Sequence, residues 1–347
     1  MVDKILIGDV FSQVDTTCEK TNYLDKYIGD GELLYMMSGR CGINIVLEDI
    51  TKTMDRPLKA YIPLYTCETV VAPFKKNNCE ISYYDVDKNL KPILVDESIE
   101  NCDVMLICGY FGFVRYDVEK IKYAKSLGKI IVEDATHSVF STGGMSPYAD
   151  YIAGSLRKWI NVDAGGFALK KHGKFVAKQK EISDEHLKLR HNIEKFGQSD
   201  PELARKYFWQ AEYMLREIFD SQKSDSDSIN TIKHMDVSRI IETRRANYKT
   251  LLDKINNKMV HFIFNLESGD VPSHFTVFVD ERDKFFEYVL KNNIQPKIFW
   301  PAHNSQEELQ DTGSQYVYDH ILSLPCDQRY SEKEMNYVAE IVNSFRV

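Results

Sequence analysis

The stretch "GSLRKWINVDAGGFAL", residues 154–169, sets Lys158 between Ser155 and the pair Gly165-Gly166. An apolar run, "DYIAGSL", leads into it, and a second, "GGFALKK", leads out. Two strand-like runs joined by a turn that carries a cation suggest that the lysine stands on the rim of a sheet. Outward from this point, residues 33–170 alternate β-type runs with stretches of helical period. Examples are "ELLYMM", "INIVLEDITKTM", "KAYIPL", "EISYYDV", "DVMLICGYFG", "DVEKIKYAKSLG" and "KIIVED". Parallel strands need long crossover connections, and this rhythm supplies them. The expectation is an α/β unit with a mostly parallel central sheet flanked by helices.

From about 174 to 255 the pattern turns helical, interrupted by the polar "KSDSDSIN", which reads as a loop. Beyond it, "VHFIFNL", "HFTVFV", "RDKFFEYVLKNN", "PKIFW" and "EKEMNYVAEIVNSF" suggest a smaller α+β unit. The division expected is a large unit over 1–235 and a small one over 236–347.

The 347 residues carry 44 Lys and Arg against 52 Asp and Glu, a formal charge of −8, which disfavours a nucleic-acid polymer as partner. Seven scattered cysteines, none in a CxxC pair, point to a reducing cytoplasm and away from a disulfide framework or a metal site. The opening "MVDKILIGDVF" has acidic residues and only a short apolar run, so neither a signal peptide nor a membrane span is expected.

Three clusters carry chemistry. "GKIIVEDATHSVFS", 128–141, ends an apolar strand in Glu133-Asp134, and ligands sit at the carboxyl ends of strands in open α/β sheets. A helix cap is the plainer reading of such an aspartate. Lys158 follows the next strand, so both groups can share one rim. A lysine is ordinarily a solvated surface charge. Desolvation, or a neighbouring cation such as Arg157, would lower its pKa and free it to attack a carbonyl as a Schiff-base amine. Third, in "MMSGRCGINIVLEDI", 36–50, Ser38-Gly39-Arg40 precedes a helix with apolar residues at 43, 46, 47 and 50. Free N–H groups there could seat a phosphate, although a plain cap also explains a Ser-Gly turn. Ser155 would add a hydroxyl. A phosphate seat, a nucleophilic lysine and a strand-end acid are the parts needed to hold pyridoxal 5'-phosphate.

Through these residues the chain resembles the DegT/DnrJ/EryC1/StrS sugar aminotransferases, within fold type I of the pyridoxal-phosphate enzymes. The resemblance runs through "SGRCGI" (38–43), "IPLYTCETVVAPFKKNNCEISYYDVD" (62–87), "GYFGF" (109–113), "IIVEDATHS" (130–138), the stretch around Lys158, "IIETRRANY" (240–248), "PKIFWPAH" (296–303) and "LSLPCDQRYSEKEM" (322–335). It implies a large domain with the mostly parallel sheet, a smaller C-terminal α+β domain, and a homodimer with its sites at the interface. It also implies Lys158 as the cofactor-linking lysine and proton shuttle, and Asp134 as partner of the pyridinium nitrogen. His137 would lie beside the cofactor's phenolic oxygen, and Ser38, Gly39, Arg40 and Ser155 would hold the phosphate.

The chain departs from the family at three places. Arg40 replaces a threonine. Cys67 stands where many members stack an aromatic on the cofactor ring, with Tyr65 or Phe111 as substitutes. No clear counterpart exists for the asparagine lent across the dimer, Asn230 being a faint candidate. Tyr65, Tyr110, Phe111, Trp300 and His303 are candidate substrate contacts, although packing explains Trp300 and His303 as readily. "ETRRANYKTLLDKINNK" reads as a solvated or subunit-contact helix face.

The resemblance implies transfer of an amino group from an amino acid, usually glutamate, to a carbonyl acceptor, commonly a nucleotide-linked keto sugar used in polysaccharide or glycoconjugate synthesis. A small phosphorylated ketone or aldehyde is the alternative acceptor, and a cofactor-binding relative without transaminase activity is the alternative of another class. Dehydratases of this fold replace the lysine with histidine, so Lys158 argues against deoxygenation.

Overall fold

The computed structural model describes residues 6–8, 21–54, 56–197, 199–217 and 219–346. Most of the N-terminal stretch read above, and Cys18, lie outside the described residues.

In chain order the elements of the first part are β1 (Glu32–Met36), α1 (Gly39–Thr51), β2 (Lys59–Pro63), α2 (Glu68–Lys76), β3 (Glu80–Val86), β4 (Pro92–Ile93), α3 (Asp96–Asn101), β5 (Val104–Cys108), α4 (Val118–Ser126), β6 (Ile130–Asp134), β7 (Tyr151–Ser155) and β8 (Gly166–Lys170). They form one eight-stranded sheet in the order β1-β8-β7-β6-β5-β2-β3-β4. From β7 through β6, β5 and β2 to β3 the pairing is parallel. The strands β1, β8 and β4 run antiparallel to their neighbours. Parallel neighbours end on the same edge, so the residues just past β2, β5, β6 and β7 share one rim.

Helix α1 starts hard against this rim. A Cβ on Gly166 of β8 would fall 2.2 Å from the Ser38 carbonyl carbon, and one on Gly39 would press on Ser155 at 3.2 Å. Bare backbone at 166 therefore lets the helix start approach the ends of β7 and β8.

Next come α5 (Asp184–Phe196), α6 (Pro201–Glu217), α7 (Ser226–Lys233) and α8 (Val237–Lys254). The polar run 223–230, expected as a loop, is largely the start of α7. Asp225 caps it by accepting the Ser228 N–H at 2.8 Å, and Ile232 buries its apolar side. Ser and Asp favour N-caps as much as loops, which explains the misreading.

The C-terminal part is built from β9 (Val260–Phe262), β10 (Phe275–Val279), α9 (Arg282–Lys291), α10 (Gln306–Leu309), α11 (Gly313–His320), β11 (Ile321–Leu324) and α12 (Glu332–Ser344). Its sheet is antiparallel, in the order β11-β10-β9. The core beneath it, with Phe275, Val277, Leu322 and Leu324, continues into Tyr65, Tyr110 and Phe111 from the rim of the large sheet. The two sheets are thus joined through apolar packing beside the rim, and a cavity is left there. No helix among the described residues is long and apolar enough to cross a membrane.

Candidate active site

The cavity has a volume of about 870 Å³ and is lined from both parts of the chain. Lys158 stands in it at the end of the short 3₁₀ turn Leu156–Lys158 that follows β7. What surface Lys158 keeps opens onto the cavity. Burial lowers its pKa, while Cys67, Asp134 and Glu212 oppose that shift and Arg157 adds to it. Its Nζ lies 2.9 Å from His137 Nε2, under the rings of Phe299 (4.9 Å) and Trp300 (5.7 Å).

Which atom donates in the Lys158–His137 contact depends on the imidazole tautomer. His137 Nδ1 accepts the Phe111 N–H at 3.5 Å, which favours the tautomer with the ring proton on Nε2. With the proton there, Nε2–H faces Nζ, an arrangement that favours the uncharged amine, the direction in which burial also moves it. Burial also holds the His137 pKa well below its ordinary value, with Lys158 adding to the effect. Burial thus moves both groups toward their uncharged forms. The His137 ring stacks on Trp300, 5.4 Å away at 16°.

Asp134 closes β6 and faces the same cavity. Its Oδ1 accepts the Thr136 N–H at 2.9 Å. Burial raises its pKa; Thr136 and the charge of Lys158 pull the other way. Glu133, one residue earlier, points to the opposite face of the strand. There it is fully buried and accepts from Tyr116 Oη (2.7 Å), Met145 N (3.1 Å) and Ser146 N (2.5 Å). Of the two adjacent acids, only Asp134 lines the cavity.

The helix start at 38–40 lines the cavity beside Ser155. Ser38 is the cap, its Oγ accepting the Cys41 N–H at 3.2 Å. Both readings of this turn therefore meet: the hydroxyl is occupied by capping, and the first N–H groups of α1 remain at the cavity wall with the dipole's positive end. The Arg40 guanidinium does not turn to a carboxylate. It donates to the Arg216 carbonyl at 2.6 Å and lies 5.1 Å from the Phe219 ring centroid, tying α1 to the end of α6. Burial lowers its pKa. Arg157 is ion-paired with Glu212 of α6.

Cys67, Tyr110 and Trp300 also line the cavity; Tyr65, Phe111 and His303 do not. Tyr65 and Phe111 are fully buried behind the wall. Tyr65 Oη donates to the Phe299 carbonyl, and the Tyr110 hydroxyl donates to the Tyr65 carbonyl at 2.7 Å, so these rings hold the 299–300 segment over Lys158. Cys67 is the N-cap residue of α2, and Thr69 Oγ1 donates to its sulfur at 3.1 Å. Asn230 is exposed on α7.

Sequence reasoning missed Arg244 and Gln328. Arg244 lies in the α8 segment expected to be a solvated or subunit-contact face, yet it is fully buried. Its guanidinium donates to Gln328 Oε1 (2.7 Å), the Ser273 carbonyl (2.8 Å) and the carbonyls of Lys158 (3.3 Å) and Trp159 (3.4 Å). Gln328 Nε2 donates to the Trp159 carbonyl at 2.6 Å. The C-terminal part thereby braces the backbone that carries the amine. The helical period at Ile240, Arg244, Asn247, Tyr248 and Leu251, all buried, was the available signal.

No protein-family model and no curated protein matches the sequence. Solved structures do match the fold. A DegT DnrJ EryC1 StrS aminotransferase from Brucella abortus aligns with a TM-score of 0.67 and 14% identity, over 93% of this chain and 88% of that one. Helicobacter pylori PseC, an aminotransferase involved in pseudoaminic acid biosynthesis, gives 0.67 and 13% over 94% and 91%. The aminotransferase TlmJ from Streptoalloteichus hindustanus gives 0.67 and 16% over 94% and 91%. The chain has their fold. It keeps both the large sheet and the smaller C-terminal unit, since the alignments span nearly the whole of each partner.

Proposed function

We propose that this chain is a pyridoxal-phosphate-dependent aminotransferase of the DegT/DnrJ/EryC1/StrS kind, acting in the cytoplasm on an amino-acid donor, glutamate in the first instance, and a keto-sugar acceptor. The observation that carries the reading is Lys158, its pKa lowered by burial, in a cavity that also holds Asp134 and the start of α1. The described residues fit the cofactor. The cavity is large enough for it together with a substrate. The bare glycine at 39, the first N–H groups of α1 and Ser155 offer a place for its phosphate, and Asp134 an anion for its ring nitrogen.

Bound there, pyridoxal phosphate supplies an aldehyde and an electron-withdrawing ring. The chain's own residues supply the rest. Burial lowers the pKa of Lys158, which favours the lone pair that its Nζ would offer the aldehyde carbon. Once freed from that bond, the same amine can take a proton from the donor's α-carbon and return it one atom away. Asp134, as an anion, favours a protonated ring nitrogen. His137 Nε2–H is available to an oxygen when Nζ is engaged elsewhere. Phe299 and Trp300 exclude water above the amine.

The division at 235/236 and the homodimer with shared sites belong to the same reading. The exposure of Trp209 (62%) and Tyr213 (67%) on α6, with Trp209 at the cavity wall, supports a subunit contact there.

The test is reconstitution. The purified chain is incubated with pyridoxal phosphate, reduced with borohydride and digested; the reading expects the pyridoxyl group on Lys158 and, without reduction, loss of the visible absorption band on adding glutamate. A chain that takes up no cofactor, or carries it on another lysine, contradicts it.

A further inference from the structure

Behind the cavity wall, where the turn carrying Lys158 meets α5 and α6, donor groups gather without enough acceptors. Arg157 comes from that turn, and His186 and Arg190 come from α5. Residues four apart share a helix face, so His186 and Arg190 lie on the same side of α5. His186 is fully buried and Arg190 is 7% exposed. Among the described residues six buried side-chain nitrogens have no hydrogen-bond partner, and four of the six are here: both ring nitrogens of His186, Nη1 of Arg190 and Nε of Arg157. The orphaned donors are thus concentrated at one place in the fold.

The acids nearby are engaged elsewhere. Glu212 of α6 pairs with Arg157. Asp163 accepts from Arg190 Nε at 3.3 Å, and the Val162 carbonyl takes Arg190 Nη2 at 3.3 Å. Neither carboxylate bonds the imidazole. Burial, then Arg157 and Arg190, lower the His186 pKa to about 3 against the opposing charge of Glu212, so cations dominate the field at the ring. Burial followed by Arg157 also lowers the Arg190 pKa to about 10, with Asp163 and Glu212 opposing. A field that keeps an imidazole uncharged favours an anion beside it. Buried donors without partners are costly, and these call for an acceptor. A water molecule would have to aim its own hydrogens at a guanidinium, which accepts none, whereas an anion only accepts.

We propose that His186, Arg190 and Arg157 enclose a binding site for a halide ion, chloride being the common one, which ties α5 to the turn that carries Lys158. The ion accepts charge-assisted hydrogen bonds from Arg190 Nη1 and Arg157 Nε and one from an N–H of His186. Enclosure selects its size: with no exposed surface on His186, the site suits an ion of one atom and not a substrate. Such a tie has work to do there, because Leu215 is the one residue of α5 and α6, among those described, that joins the cores on the large sheet. The site is separate from the helix start at 38–40, since His186 and Arg190 do not line the cavity. It does not depend on the aminotransferase reading.

The experiment follows thermal unfolding of the full chain at fixed pH and ionic strength while sodium chloride replaces sodium gluconate, for wild type and His186→Phe, each with and without pyridoxal phosphate. Wild type should gain melting temperature in a saturating manner. His186→Phe, which keeps a ring and drops its nitrogens, should need about tenfold or more chloride for the same gain. The gain should persist with pyridoxal phosphate present, because the cofactor fills the cavity and not this site. Crystals of wild type soaked in bromide should show an anomalous peak within hydrogen-bond reach of Arg190 Nη1 and the His186 ring, and that map decides the matter if His186→Phe does not fold. No chloride dependence in wild type overturns the proposal, as does equal dependence in His186→Phe. A response abolished by pyridoxal phosphate also overturns it, because the ion would then belong to the cofactor's own seat, and so does a water with no anomalous signal at that position. If wild type takes up no cofactor, the aminotransferase reading falls, while the titration of the bare chain and the bromide map still decide this one.

Discussion

Lys158 Nζ lies 2.9 Å from His137 Nε2, and the Phe111 N–H faces the other nitrogen of the ring at 3.5 Å, which favours Nε2–H as the donor to the amine. Burial lowers the pKa of an amine so placed, which favours its free base. Replacing it is the most direct intervention: Lys158→Ala should retain cofactor binding through the remaining contacts but lose donor-driven conversion by about 10²–10⁴-fold. Single-turnover absorbance with glutamate measures this, and a wild-type rate in the variant would assign the proton transfer elsewhere.

His137 sets the pH at which the amine is available. Its N–H stabilises neutral Nζ, so removal raises the lysine pKa and less free base exists at a given pH. Covalent capture of pyridoxal phosphate by His137→Leu should therefore have its midpoint at higher pH than in wild type, with His137→Gln, which keeps an N–H donor, in between. A midpoint that stays in place or moves down contradicts the assigned direction of the bond.

Asp134 and Glu133 should separate cleanly in experiment. Asp134→Asn should leave the melting temperature nearly unchanged and slow the half-reaction with glutamate, since a neutral ring nitrogen makes a poorer electron sink. Glu133→Ala strands buried donors at Tyr116, Met145 and Ser146 and should cost about 1–3 kcal/mol or more of stability. Urea unfolding and stopped-flow absorbance, run on both variants, give the two readouts.

Glu133 also makes stability depend on pH in a defined sense. Burial raises its pKa from 4.5 to about 7, so the folded chain holds a proton that the unfolded chain has lost between those values. This contribution should increase stability as pH falls from about 7 toward 4.5 and be absent above. Glu133→Gln, which keeps one of the two acceptor oxygens and cannot ionise, should lower stability at every pH but flatten that part of the profile in urea titrations.

Arg244 braces Lys158 from a distance. Arg244→Lys loses the planar fork that reaches Gln328, Ser273 and two carbonyls at once. It should lower stability by about 3 kcal/mol or more, as breaking a buried charged network does, and slow cofactor capture. Equal thermal stability and capture in the variant would show that the brace is idle.

Much of this protein is legible along the chain. The alternation of strand and crossover helix over 33–170 implies the parallel sheet, because only that topology needs such long returns. The parts of the site that are local in sequence, the helix start at 38–40, the strand end at 134 and the turn at 158, could be named because each sits at the end of an element, where parallel pairing gathers them on one rim. What required the tertiary structure depends on direction and depth. A strand turns successive side chains to opposite faces, so the register alone decided that Asp134 enters the cavity and Glu133 anchors a loop. Charge reads as solvated in a sequence, so Arg244 looked external until packing buried it against the Lys158 carbonyl, 86 residues away.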